Sequence, residues 1–186
     1  MKVALFGGAF NPPHIGHVMI ARQVLDYAAM DEVWFVPNFG QHPPKSNVAL
    51  VSDRLAMVQL LKQQAMKIST LEIDHKLDGN TIHLLPFLPN EHAYTFVIGS
   101  DQLPVFHLWG KWQELLERLP FFVFPRHGYP ARPVYKNMTV VSHKSLIVTD
   151  ISSTKLRERV KMGLPIDAFV PQGVSRYIQE HGLYRE

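Results

Sequence analysis

Two adjacent glycines, set between an apolar run and a pair of prolines, constrain this chain more than any other feature. Lys2-Val3-Ala4-Leu5-Phe6 is the apolar run, and Gly7-Gly8-Ala9-Phe10-Asn11-Pro12-Pro13-His14-Ile15-Gly16-His17 follows it directly. From Ile15 to Met30 the apolar residues Ile15, Val18, Met19, Val24, Leu25, Ala28 and Ala29 recur at helical spacing. The pattern predicts a buried strand, a glycine-bearing loop, and a helix entered just after two prolines. Gly7 and Gly8 let the backbone approach a ligand with no Cβ in the way. A helix that starts at such a loop points free N–H groups and a partial positive charge at one place. That is an anion site, most often a phosphate site.

His14 and His17 sharpen the reading. Three residues apart at a helix start, they fall on one face of the first turn. A neutral imidazole there donates hydrogen bonds to phosphoryl oxygens, and an imidazolium does so with a full charge. Either histidine alone reads more simply as a surface residue of a basic chain with 10 histidines. Together, as H-x-G-H after strand, Gly-Gly and Pro-Pro, they read as a site. The stretch Gly-Gly-x-Phe-x-Pro-x-His-x-Gly-His from Gly7 to His17 resembles the signature of the nucleotidyltransferase superfamily, and most of all its bacterial nicotinate-mononucleotide adenylyltransferases. The resemblance implies that His14 and His17 are catalytic, binding the triphosphate and stabilising the transition state. It also implies that Phe6, Gly7, Gly8, Ala9 and Phe10 contact ATP.

At 186 residues, with 46% hydrophobic and 19% charged residues, the chain reads as one globular domain with a full core. No apolar run is long enough to span a bilayer, and Met1-Lys2 leads straight into a strand, so the expected location is the cytoplasm with no membrane partner. The absence of cysteine excludes disulfides, cysteine-ligated zinc and thiol nucleophiles. A net charge of +3 suits an anionic small molecule, and no Lys/Arg block argues for nucleic acid.

Further runs place the remaining elements. Strands are predicted over Glu32–Pro37, Ile68–Ile73 (nearer an edge), Tyr94–Gly99 and Phe121–Phe124, with short candidates at 139–141 and 146–148. Helices are predicted from Ser52 to about Met66 with Leu55, Val58, Leu61 and Ala65 inward, and over about Thr81–Leu88. Two helical pieces follow between Leu103 and Leu119, and a last helix runs from Pro171 to His181. Strand, helix, strand of these lengths makes a right-handed βαβ unit. The fold class is therefore α/β, a Rossmann-like open parallel sheet flanked by helices, with ligands at the C-terminal ends of its strands.

Three places carry further chemistry. Gly99-Ser100-Asp101 ends the clearest central strand, and the resemblance gives Gly99 and Asp101 to ATP, the aspartate helping to hold the ribose. Trp109 stands before Gly110 at a helix break, where a ring can stack on a heterocycle; Trp112, followed by Leu115, Leu116 and Leu119, reads as core. The resemblance makes Trp109 and Gly110 acceptor-binding, together with Thr81 and the loop lysine Lys45. Ile151-Ser152-Ser153-Thr154-Lys155-Leu156-Arg157 is an N-capped helix start with an arginine fork one turn inside, hence a second anion site. It matches the family's other signature, which gives Ile151, Ser152, Ser153 and Arg157 to ATP.

The expected reaction is adenylyl transfer from ATP to nicotinate mononucleotide, giving deamido-NAD and pyrophosphate, with Mg²⁺ accompanying ATP and no protein metal cage. Rival readings are a sister transferase acting on nicotinamide mononucleotide, phosphopantetheine or a cytidylyl acceptor, and a nucleotide-sensing module without turnover. A homo-oligomer is compatible with the sequence. Departures from the family pattern are Ala9 for Ser or Thr, Asn11 for Asp, and Asn80-Thr81-Ile82-His83-Leu84-Leu85 in the segment resembling Tyr-Thr-x-Asp-Thr-Leu.

Overall fold

The computed structural model of the chain describes residues 1–40, 48–132 and 135–185. Six strands, β1 (Lys2–Gly8), β2 (Glu32–Pro37), β3 (Met66–Ile68), β4 (Ala93–Gly99), β5 (Phe121–Phe124) and β6 (Met138–Val140), form one sheet in the order β3-β2-β1-β4-β5-β6. Every pairing is parallel. The chain builds outward from β1 to β3, then crosses back to lay β4 against the other side of β1. The reversal between β1 and β4 is a topological switch point, and it opens a crevice above the C-terminal ends of those strands.

The short strands are apolar along nearly their whole length because both faces are covered. Val3 and Leu5 face a layer that includes Ile82, Leu84, Leu103, Phe106, Leu115 and Leu119. Ala4 and Phe6 face the opposite layer with Ile20, Ala21, Val24 and Val58. The first face is covered by α4 (Thr81–Leu84), the 3-10 run Ser100–Leu108 and α5 (Trp112–Arg118). The second is covered by α1 (Ile15–Tyr27) and α2 (Val51–Gln59), with α3 (Leu71–Asp74) following β3. A third cluster joins Met57 of α2 to Leu156 of α6 (Ser153–Lys161) and to Val174 and Ile178 of α7 (Gln172–Glu180). The C-terminal helices thus rest on α2, beside the loop that leaves β1. Tyr177 Oη donates to Asp53 Oδ1 at 2.9 Å, and Tyr184 Oη to Asn11 Oδ1 at 2.8 Å.

The structure departs from the sequence expectations in four places. The third strand ends at Ile68, and Leu71–Asp74 is a helical turn, because Ser69 N–H bonds to Phe35 O and the Thr70 carbonyl then accepts from Ile73 and Asp74. Helix α2 starts at Val51 without a side-chain cap, so Ser52 sits exposed inside the helix instead of capping it. The helix also ends earlier than expected, and Arg54, not Leu55, takes the fully buried position in line with Val58. Segment 146–148 is not a strand: the Ile147 backbone is bonded on both sides by the Gln23 side chain.

Candidate active site

The crevice at the switch point is a cleft of about 530 Å³. Of the residues singled out in the sequence, Phe6, Gly7, Gly8, Ala9, His17, Gly99, Asp101, Thr81, Trp109 and Gly110 line it. Gly7 stands where strand and cleft floor meet. A Cβ there would lie 2.6 Å from Phe96 Cζ, so only glycine leaves the neighbouring ring in place.

The H-x-G-H segment is built as a stacked pair. The His14 and His17 rings lie 3.7 Å apart between centroids at 30°. His14 precedes the first residue of α1 in extended backbone, and its N–H donates to His17 Nδ1 at 3.1 Å. That bond occupies Nδ1 of a neutral His17 as an acceptor, which leaves the ring's proton on Nε2. His14 lies beneath, buried, with Nδ1 unpartnered among the described residues. Gly16 is required by this packing, since a Cβ on it would come within 2.9 Å of that nitrogen. The helix start is also less open than the sequence suggests. The Ile15 N–H is already bonded to Phe169 O at 3.0 Å, which fixes the C-terminal segment against α1.

Burial pushes the His14 imidazole down to about 3, and the Arg126 guanidinium adds to the effect. Burial, then His14 and Arg126, hold His17 well below its ordinary value too. Both rings are therefore neutral hydrogen-bonding groups in the unliganded protein. The unfolded chain takes up its histidine protons near 6.5, where the folded chain refuses them. Stability is present above that pH and falls below it, by up to about 1.4 kcal/mol per pH unit for each such histidine. Thermal melts from pH 7 down to pH 4 should show this decline, and His14→Gln should flatten its slope. An unchanged slope in that variant would assign the decline to other groups.

Arg126 and Arg54 are cations that carry no site role in the motif reading. Arg126 follows β5, lines the cleft and lies 3.7 Å from Asp101 Oδ1. Ser100 fixes it there, its Oγ accepting from Arg126 N–H at 2.9 Å and donating to Tyr129 O at 3.1 Å. A basic residue just past a strand's C-terminal end was the available signal. Arg54 is 1% exposed, and its guanidinium donates to Ala49 O at 3.2 Å, Ala9 O at 3.0 Å and Phe39 O at 3.5 Å. Its signal was a charged residue on the apolar stripe of α2.

The second signature stands behind the first loop. Ser153 Oγ donates to Pro12 O at 2.8 Å, and Arg157 Nη1 to Asn11 O at 2.7 Å. Ser152 caps α6 by accepting from Lys155 N–H at 3.3 Å, and Ile151 packs with the C-terminal cluster. Ile151, Ser152, Ser153 and Arg157 thus lie outside the cleft lining, as do the buried Phe10 and His14. On the other wall Trp109 is half-buried, edge-on to Phe96 at 6.2 Å and against Phe106 at 5.1 Å. Trp112 packs on Tyr135 at 5.0 Å, as expected of a core residue. Lys45 lies outside the described residues. No described helix is long and apolar enough to cross a membrane.

Residues 5–159 match the family described as Cytidylyltransferase-like. A "probable nicotinate-nucleotide adenylyltransferase" of Salinibacter ruber is 36% identical over 194 residues, covering 100% of this chain and 98% of that protein. The nicotinate-nucleotide adenylyltransferase of Bacillus subtilis is 32% identical, covering 98% of each. The fold is also that of a Plasmodium falciparum nicotinic acid mononucleotide adenylyltransferase solved with NaAD, at TM-score 0.79 and 18% identity, covering 98% of this chain and 97% of that one. With the switch-point cleft and its stacked histidines in place, the chain belongs to the cytidylyltransferase-like family, among its nicotinate-nucleotide adenylyltransferases.

Proposed function

We propose that the chain, acting as a single unit over residues 1–186, transfers the adenylyl group of ATP to nicotinate mononucleotide and so makes deamido-NAD and pyrophosphate. An oxygen of the mononucleotide phosphate attacks the α-phosphorus, and the bond from that phosphorus to the leaving pyrophosphate oxygen breaks in line. Such a transfer needs positioning and charge stabilisation, with no covalent nucleophile. The single observation that carries the reading is similarity over nearly the full length to these relatives, at 36% and 32% identity.

His17 is the donor at the phosphates, with its proton on Nε2, and Arg126 supplies the positive charge on the same wall. Gly7, Gly8 and Ala9 give ATP its close backbone approach, and Asp101 faces the nucleotide from the end of β4. Ser153 and Arg157 hold the Asn11–Pro12 backbone in shape from behind the loop that ATP approaches. ATP enters as its Mg²⁺ complex. Among the described residues Glu72 and Asp101 are the carboxylates lining the cleft, and Asp101 is beside Arg126, so phosphate oxygens and water suit the ion better than a protein cage.

The test is pyrophosphate release with Mg-ATP or Mg-CTP against nicotinate mononucleotide, nicotinamide mononucleotide and phosphopantetheine. Turnover is expected with ATP and a pyridine mononucleotide. Turnover only with another acceptor would move the chain to a sister activity. Trp109 supplies the ring-stacking face of the acceptor half. Trp109→Ala should raise the mononucleotide KM about tenfold, the scale of one aromatic stack, while the KM for ATP stays within about twofold.

A further inference from the structure

The acceptor wall holds a buried acid that the reading above does not use. Glu72, on α3, is 4% exposed and lines the cleft together with Gly79, Asn80, Thr81, Trp109 and Gly110. Its Oε2 is buried with no partner among the described residues. The backbone N–H groups of Phe39 and Gly79, the latter one residue before Asn80, act on the carboxyl group in favour of its ionised form. Asn80 in turn abuts Gly110. A Cβ on that glycine would lie 2.5 Å from Asn80 Oδ1, so α3, the 76–80 turn and the Trp109–Gly110 corner form one continuous wall. The Asn80 amide nitrogen is held by Asp78 Oδ2 at 2.8 Å, which leaves Oδ1, an acceptor, toward the corner. Asn38 Oδ1, also buried without a partner among the described residues, lines the same cleft. This wall carries several oxygen acceptors, and an anionic ring substituent brought against Glu72 itself meets repulsion unless that carboxyl group carries a proton.

We propose that Glu72 is a specificity-determining residue of the acceptor half: as a neutral acid it donates a hydrogen bond from Oε2 to the carboxylate of the nicotinate ring, which its ionised form repels, whereas the amide ring is accepted equally by either form. The inference rests on the pyridine-mononucleotide reading above. Burial, with the Asp78 carboxylate next, pushes the Glu72 carboxyl up to about 7, while the Phe39 and Gly79 N–H groups and His83 pull it down. Asp78 itself is held at about 2, with Asn80 and His83 as its hydrogen-bond partners against a desolvation that acts upward, so it stays ionised across the working range. His83 Nδ1 is 3.0 Å from Asp78 Oδ1. At neutral pH the Glu72 proton is thus easily lost and easily regained. Binding the acid draws one in, whereas an amide NH₂ can donate to the ionised form.

The experiment is the ratio of kcat/KM for nicotinate over nicotinamide mononucleotide, measured from pH 6 to pH 9. Titration of the substrate phosphate and of the ATP half cancels in that ratio. The ratio should be flat below pH 7 and fall roughly tenfold per pH unit above it as the neutral acid is depleted. Glu72→Gln keeps a permanent donor and should give a ratio independent of pH. In wild-type protein, calorimetry at pH 7.5 in buffers of different ionisation enthalpy should show the acid taking up more protons than the amide, by roughly three-quarters of a proton. A flat wild-type ratio, a slope that survives in Glu72→Gln, or equal proton uptake would each overturn the role of Glu72 and leave the activity standing. No turnover or binding of either mononucleotide would overturn the reading and the inference together.

Discussion

His17→Ala is expected to lower kcat by about 10²–10³, the usual cost of removing one donor aimed at transition-state charge, equivalent to about 2.7–4 kcal/mol. The KM for ATP should change by no more than a few-fold, because the donor serves charge that grows as the bond to pyrophosphate breaks. The ring has two jobs that can be separated. Nδ1 accepts from His14 N–H at 3.1 Å and so steadies the start of α1, while Nε2 carries the proton of a ring that lines the cleft. Asparagine can keep the first job, since its amide oxygen reaches the Nδ1 position, and it lacks the second. His17→Asn should therefore lose as much kcat as alanine while retaining more thermal stability. Steady-state kinetics with thermal melts on both variants decide the matter. Normal turnover in His17→Asn would make the ring structural only and remove Nε2 from the mechanism.

Much of this site was legible because its chemistry is local in the chain. Strand, Gly-Gly, prolines and H-x-G-H fall within residues 2–17, so the period of the apolar residues and two glycines were enough to place a loop at a strand end. The parallel sheet followed from apolar runs separated by helix-length segments. The third strand was misplaced because Leu71 and Ile73 continue an apolar alternation that here belongs to a helical turn. Segment 146–148 has the composition of a strand, yet Gln23 takes its backbone bonds through a contact that spans 124 positions. No pattern over a short window carries that information.

The cations and the buried acid were missed for a related reason. Arg126, Arg54 and Glu72 each stand in runs where a charged residue ordinarily means solvent. What makes them site residues is distant in sequence: Ser100 holding the Arg126 backbone, Ala9 and Phe39 receiving the Arg54 guanidinium, and Gly79 reaching Glu72. The histidines were legible as residues but their state was not. An imidazolium on the phosphates was an open option, and burial beside Arg126 removes it in the unliganded protein.

Arg54→Met carries the other large effect, and it acts on stability first. The guanidinium is nearly inaccessible, and its described partners are carbonyl oxygens. Burial lowers its pKa, yet a guanidinium is so strong a base that the group remains charged at neutral pH. Methionine fills similar space with no donors, so the Ala9 and Ala49 carbonyls lose their partner inside the protein. Each buried acceptor left unmade costs about 1–3 kcal/mol, for a total of roughly 2–6 kcal/mol. Removing the charge recovers part of its desolvation cost and moves the expectation toward the lower half of that range. Lysine keeps the charge with a single point of donation and should recover one carbonyl at most. Because Ala9 lines the cleft directly after Gly8, the same change should loosen the loop under the phosphates and lower kcat/KM for ATP more than for the mononucleotide. Urea denaturation gives the stability and initial rates give the split between substrates. A loss under about 1 kcal/mol in Arg54→Met would mean that water takes over the carbonyls, and that Arg54 does not hold the phosphate loop to α2.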